Sequence, residues 1–212
     1  EEAGVAPRIL TIANQKGCVG KTTTAINLAT ALAAIGERVL IVDLDPQGNA
    51  STGLGISRIG RERSTYDLLV GEATIAESAV MTSVPNVAIV PSTLDLLGVE
   101  MAIAGMPDRA YRIRRAFQEM DGFTIGGLPV SYVLIDCPPS LNLLTINALV
   151  AADAVLVPLQ CEFFALEGLS QLLQTIEQIR TTLNPRLSIQ GVVMTMFDKR
   201  NSLSEQVLQD VR

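Results

Sequence analysis

The stretch ANQKGCVGKTTTAINLA, from Ala13 to Ala29, sets two lysines, Lys16 and Lys21, around the turn Gly17-Cys18-Val19-Gly20. An apolar run, RILTIAN at 8–14, reads as a buried strand before it, and TTTAINLATALAAIG at 22–36 reads as a helix ended by Gly36 after it. A glycine-bearing turn between strand and helix directs backbone N–H groups inward and adds the positive end of a helix dipole, a combination that binds oxyanions. The common phosphate loop is G-x-x-x-x-G-K-[ST]. Gly20-Lys21-Thr22 supplies its end, while Gln15 stands at the first glycine position, so the match is to a variant. In that chemistry Lys21 reaches the β- and γ-phosphates of a nucleotide and the Thr22 hydroxyl ligates Mg²⁺. A turn with stray lysines is the bland alternative, and the strand and helix on either side weigh against it.

One lysine suffices for that task. In the same loop Lys16 crowds Lys21 and adds repulsion. It makes chemical sense if it points away, to the phosphate of a second molecule bound face to face, where it neutralises charge developing on the γ-phosphate as an arginine finger does in trans. Otherwise it is a solvated surface lysine. Cys18 costs on the order of 1–2 kcal/mol if its position requires φ > 0 and little if φ is negative. A redox role is conceivable beside cationic neighbours, against tolerated variation.

Three carboxylates are predicted at the C-terminal ends of strands, the edge at which doubly wound sheets bind ligands. Asp43 and Asp45 end RVLIVDLD (38–45), and Asp136 falls within SYVLIDCPPS (131–140). A lone acid there is usually a cap or turn residue; three converging on one phosphate loop point to Mg²⁺ chemistry. Asp136, after an apolar strand, fits an acid holding Mg²⁺ through water. With no histidine in the chain, a carboxylate is the best available group for activating water, and Pro46 restricts the backbone of Asp45. Asp43 is expected to support the metal shell. Pro138-Pro139 stiffens the following turn.

The absence of histidine excludes a Ser-His-Asp triad and histidine metal ligands. Cys18, Cys137 and Cys161 are unclustered and odd in number, which argues against a disulfide framework and suits a reducing cytoplasm. No apolar run approaches the roughly 20 residues of a spanning helix. A net charge of −6 argues against a chain basic throughout, although arginines gather at 58–63 and 109–115; solvated faces are their simplest reading. Apolar runs at 86–92, 154–160 and 187–198 alternate with helical patterns at 65–71, 74–80, 93–104, 108–120, 143–152, 165–183 and 203–211. This predicts parallel βαβ units: an α/β, doubly wound, mostly parallel sheet with helices on both faces. Residues 1–7 read as an N-terminal tail, and 8–212 as one nucleotide-binding domain expected to be cut short after its last helix.

Lys16-Gly17-x-Val19-Gly20-Lys21-Thr22-Thr23 resembles the deviant Walker A box of the ParA/MinD superfamily, in which the extra lysine reaches across a nucleotide-sandwich dimer. DLDPQGNASTGLG (43–55) resembles the ParA-type switch I segment, and LIDCPPSLNLLTINAL (134–149) the Walker B and switch II segment. QCEFFALEGLSQLL (160–173) is closer to partition ATPases than to MinD proteins. The resemblance covers almost the whole chain from Arg8. It implies a P-loop ATPase that uses ATP and Mg²⁺, with Gln15, Lys16, Gly17, Cys18, Val19, Gly20, Lys21, Thr22, Thr23 and Pro138 binding nucleotide. It implies Thr22, Asp43 and Asp136 at the metal, and Lys16, Lys21, Asp45 and Asp136 in catalysis. It further implies a homodimer that binds DNA nonspecifically, a ParB-type protein that stimulates its slow hydrolysis, no membrane attachment and a place on the nucleoid. A MinD-like membrane-cycling ATPase is the alternative, and it needs an amphipathic C-terminal helix. Other proteins sharing the deviant loop, such as dethiobiotin synthetase or the nitrogenase iron protein, form a further alternative. For the iron protein, Cys137 lacks companions at cluster spacing.

Overall fold

The computed structural model describes residues 6–162, 165–198, 200 and 202–211. β1 (Arg8–Ile12) leads through the glycine turn into α1 (Lys21–Ala34), and β2 (Val39–Asp43) follows. A short α2 (Asn49–Gly53) comes next, then α3 (Thr65–Val70) and α4 (Ile75–Ser78), both opened by capping boxes, at Ser64/Asp67 and Thr74/Glu77. β3 (Val80–Met81) and β4 (Val87–Val90) precede α5 (Val99–Ala102) and α6 (Arg112–Gln118). A small hairpin of β5 (Thr124–Ile125) and β6 (Leu128–Pro129) leads to β7 (Tyr132–Asp136) and α7 (Leu143–Ala151). β8 (Ala154–Gln160), α8 (Ala165–Thr182), β9 (Ser188–Thr195) and α9 (Ser202–Val211) complete the chain.

Seven strands form one sheet in the order β3-β4-β2-β7-β1-β8-β9. All neighbours are parallel except the β3–β4 pair. This is the predicted doubly wound architecture. Alternation along each strand explains its two covered faces. Leu40 and Val42 of β2 and Val133 and Ile135 of β7 join the core beneath α3, α5, α6, α7 and α8. Val39, Ile41 and Leu134 turn the other way, beneath α1 and α2. α1 presents Ala25, Ala29 and Ala33 to that face, so small side chains let it approach closely. β1 and β7 are paired at the centre with Ile12 opposite Asp136, and β2 is paired with β7 so that Asp43 is also opposite Asp136. The loop after β1 and the acids of β2 and β7 therefore share one edge.

Three local expectations change. The 108–120 stretch is a 3₁₀ turn at Arg109–Tyr111 followed by α6, not one helix. The 93–104 stretch likewise divides into a 3₁₀ segment, Leu94–Gly98, and α5. The arginine clusters are not merely solvated. Arg61 is 8% exposed and donates to the carbonyls of Ser92 and Ile56 and to the Thr52 hydroxyl. Arg112 donates Nε–H to the Leu69 carbonyl and pairs with Asp108.

Leu134 is fully buried in the strand that joins both halves of the sheet. Leu134→Ala should lower unfolding free energy by about 2–5 kcal/mol, read as a lower urea midpoint at unchanged slope. A loss below about 1 kcal/mol would contradict this packing.

Candidate nucleotide site

The glycine turn is tied down from several sides. Asn14, buried at the end of β1, donates its side-chain amide to the Pro158 carbonyl (2.7 Å), and its Oδ1 accepts the backbone N–H of Lys16 (3.0 Å). Thr195, closing β9, donates its hydroxyl to the Val19 carbonyl (2.8 Å). Gly20 adopts φ 85°, caps α1 without a side-chain bond, and leaves the first amides of that helix without an internal partner. A Cβ on Gly20 would lie 3.4 Å from Thr195 Cγ2, so the left-handed turn and the close approach both call for glycine. Cys18 also lies in the left-handed region, at φ 59°, with its side chain exposed. The strain of about 1–2 kcal/mol considered from the sequence therefore applies here.

The two lysines take separate directions. Lys21 is 7% exposed and its Nζ donates to the carbonyl of Lys16 at 2.7 Å, curling over the turn. Burial lowers its pKa, opposed by the negative charge of Asp136 and other nearby groups. Lys16 points outward instead, to the edge beyond β8, where its ammonium pairs with Glu162 of the same chain. Gln15 lies against α8, since a Cβ on Gly168 would stand 3.6 Å from Gln15 Nε2. Val19 is buried, Gly17 and Cys18 are exposed, and Thr23 sits on the exposed side of the first turn of α1. Pro138 is buried, and Pro139 approaches Gly17, whose Cβ would be 3.9 Å from that of Pro139.

The acids divide their work. Thr22 Oγ1 donates to Asp136 Oδ2 at 2.7 Å, which joins the start of α1 to the end of β7. Among the described residues, Asp136 Oδ1 is buried with no hydrogen-bond partner. Burial, reinforced by the charge of Asp43, raises the pKa of Asp136 to about 7. Asp43, expected in the metal shell, is occupied otherwise. Its Oδ2 accepts from the Ser51 amide (2.9 Å) and hydroxyl (2.6 Å), and its Oδ1 accepts from the Asp45 amide (3.1 Å). Burial raises its pKa to about 6. Asp45 is 8% exposed, and its Oδ1 accepts from the Gln47 amide. Among the described residues no cluster of three acids or thiols surrounds a common point, so the expected convergence of Asp43, Asp45 and Asp136 does not form a closed metal cage. A hydroxyl and one carboxylate with an orphaned, desolvated oxygen do fit Mg²⁺, which keeps waters and takes few protein ligands. Burial pushes the Cys137 thiol up, as expected of a small core residue.

Glu162, Asn14, Thr195, Ser51 and Ser92 were not singled out from the sequence. Glu162 had the clearest signal, an acid just beyond the C-terminal end of the predicted strand 154–160. Of the QCEFFALEGLSQLL stretch, Phe163 and Phe164 lie outside the described residues. A cavity of about 860 Å³ lies at the opposite end of the strands, between Arg8, Phe117 and Asp153.

A family model described as an AAA domain matches residues 7–189. The chromosome partitioning protein ParA of Caulobacter vibrioides is 62% identical over 97% of this chain and 75% of its own length. The sporulation initiation inhibitor protein Soj of Bacillus subtilis is 47% identical over 97% of this chain and 79% of its own. Among solved structures, one of Mycobacterium smegmatis described as cobyrinic acid a,c-diamide synthase, with bound ATP analogue and magnesium, superimposes with a TM-score of 0.89. It is 40% identical and the match covers 97% of this chain and 81% of that one. A plasmid partition protein of Borrelia burgdorferi gives a TM-score of 0.80 at 26% identity, covering 97% and 85%. The paired lysines, the Thr22–Asp136 bond, the sheet order and these relatives agree: the chain belongs to the ParA/Soj family of chromosome-partitioning P-loop proteins.

Proposed function

We propose that this chain is an ATP-dependent partition ATPase whose ATP-bound form is a face-to-face homodimer. The observation that carries the reading is the divergence of the two ammonium groups. Lys21 lies over its own loop, and the Lys16 ammonium lies at the rim in an exposed-edge ion pair with Glu162. An ion pair with both partners more than a third exposed is weak. A triphosphate presented by a second copy can therefore draw Lys16 away from Glu162. Lys21, Thr22 and the amides from Gly17 to Thr22 hold the triphosphate of their own subunit. Asp136 and Thr22 would hold Mg²⁺, which when bound neutralises charge on the phosphate oxygens.

Asp45 orients and polarises the attacking water. The water oxygen bonds to the γ-phosphorus, the bond to the β–γ bridging oxygen breaks, ADP leaves with that oxygen, and the water's protons go to the inorganic phosphate and to solvent. Hydrolysis by this route is slow until a ParB-type partner stimulates it. The dimer binds DNA nonspecifically through its phosphates, and hydrolysis releases it, which places the protein on the nucleoid. Because the chain carries net charge −6, that binding depends on a local basic surface and should weaken steeply with salt. The ParA and Soj relatives favour this reading over MinD-like membrane cycling and over a synthase. No helix of the described residues is long and apolar enough to cross a membrane.

Analytical ultracentrifugation with a non-hydrolysable ATP analogue and Mg²⁺ tests the dimer. The wild type should sediment as a dimer and Lys16→Ala as a monomer that still binds nucleotide. Equal dimerisation of the two would remove the role assigned to Lys16. Salt titration of DNA binding should show a steep loss of affinity, and binding only with the ATP analogue.

The folded-state pKa of Asp136 is raised to about 7, above the ordinary carboxylate value near 4. Between these values the folded chain holds more protons than the unfolded chain, so this group's contribution to stability falls as pH rises through that window. Asp136→Asn removes that contribution while leaving an acceptor for Thr22. Without Mg²⁺ the variant should gain stability relative to wild type between pH 5 and pH 8 in urea unfolding. A difference that stays flat with pH would show that Asp136 is not desolvated as described.

A further inference from the structure

We infer that Ser92 and Arg61 are positioning residues for Asp45, acting through its backbone; this rests on the reading of Asp45 as the residue that orients the attacking water. Every backbone polar group of Asp45 is engaged. Its N–H donates to Asp43 Oδ1 (3.1 Å), and its carbonyl accepts from the Gly48 amide (2.9 Å) and from the Ser92 hydroxyl (2.6 Å). Its Oδ1 accepts from the Gln47 amide, and no hydrogen bond reaches Oδ2 among the described residues. One carboxylate oxygen thus serves the turn and the other is left for a ligand.

Ser92 is the junction of this network. It follows β4, and its place in the chain is far from Asp45. Its hydroxyl holds Asp45, its N–H donates to Ser51 Oγ (3.1 Å), and its carbonyl accepts from Arg61 Nη1 (3.0 Å). Ser51 in turn donates to Asp43, which closes a ring back to the Asp45 amide. Ser92, Ser51 and Asp43 are all 0% exposed. Arg61 passes beneath the Asp45–Gly48 turn and reaches two further acceptors, Thr52 Oγ1 and the Ile56 carbonyl, each at 2.9 Å. A Cβ on Gly48 would lie 2.4 Å from Arg61 Nη1 and 3.1 Å from Ser92 Oγ, and Gly48 itself sits at φ 65°.

Arg61 makes no ion pair among the described residues: its hydrogen bonds go to neutral oxygens, and the Asp43 carboxylate acts on it only at longer range. Aliphatic packing alone could fill this space without desolvating a charge. What the guanidinium adds is a rigid fork that ties the Ser92 carbonyl to the 52–56 segment. The Ser92 hydroxyl is thereby aimed at the Asp45 carbonyl. Small displacements of a group that orients a nucleophile cost large factors in rate.

The test is a double-mutant cycle on steady-state ATP hydrolysis, with Ser92→Ala, Asp45→Ala and the pair, and with thermal midpoints and ATP-analogue affinity measured alongside. Ser92→Ala should lower kcat about ten- to a hundredfold at unchanged KM and nucleotide affinity. It should cause no additional loss in the Asp45→Ala background. Arg61→Lys, which keeps the charge but not the fork, should behave like a milder Ser92→Ala, and it carries the same cycle if Ser92→Ala fails to fold. The inference is overturned if Ser92→Ala hydrolyses ATP like wild type, if kcat and affinity fall together, or if the losses of the pair multiply. Undiminished turnover in Asp45→Ala alone would instead remove the catalytic reading of Asp45, and this inference with it.

Discussion

Residue 16 is the point on which the site turns. Its amide is held by Asn14, its carbonyl takes the ammonium of Lys21, and its own ammonium is drawn outward to Glu162. Two cations five positions apart repel, and the loop resolves the conflict by geometry. Lys21 is buried over the turn with its charge satisfied by a carbonyl; Lys16 is kept at the rim, in contact with solvent. Every other feature of the site serves that arrangement. The Gly20 turn and the Thr195 clamp hold the loop closed, and the alanine face of α1 brings the helix N-terminus against β1.

Burial sets the character of the acids. Asp136 and Asp43 are opposite one another on neighbouring strands, both without solvent, and both are less acidic than a free carboxylate. Their partners separate their roles. Asp43 is spent on Ser51 and on the Asp45 amide, so it braces the 43–51 segment. Asp136 gives one oxygen to Thr22 and keeps the other bare, the state expected of a group awaiting a divalent cation. Asp45, tethered at its backbone, has a carboxylate oxygen free. In the proposed function, this single desolvated edge supplies a brace, a metal ligand and a water-orienting group.

The phosphate loop and the parallel sheet were legible in the sequence because both are local signals. Glycine, lysine and threonine spacing defines the loop within a dozen residues, and apolar runs alternating with helical periods define the strands. β3 and the β5–β6 hairpin were not legible, since two-residue strands carry no period. Arg61 and Arg112 read as members of charge runs and turned out to be interior props, because their acceptors are carbonyls from distant segments that no spacing announces. Ser92 was similarly silent, an ordinary serine after a strand until the fold set it against Asp45. Glu162 was visible only as an acid, and its pairing with Lys16 depends on β8 lying beside β1. The left-handed backbone of Cys18 is a further case: its residue type alone left the sign of φ open.

The central claim is that Lys16 serves a nucleotide bound by another copy of the chain. A crystal structure of the wild-type protein with a non-hydrolysable ATP analogue and Mg²⁺ addresses it directly. The account predicts two copies facing each other, with each Lys16 ammonium against the phosphates of its partner's nucleotide and released from Glu162. Lys16 still paired with Glu162 of its own chain in such a nucleotide-filled dimer would contradict it.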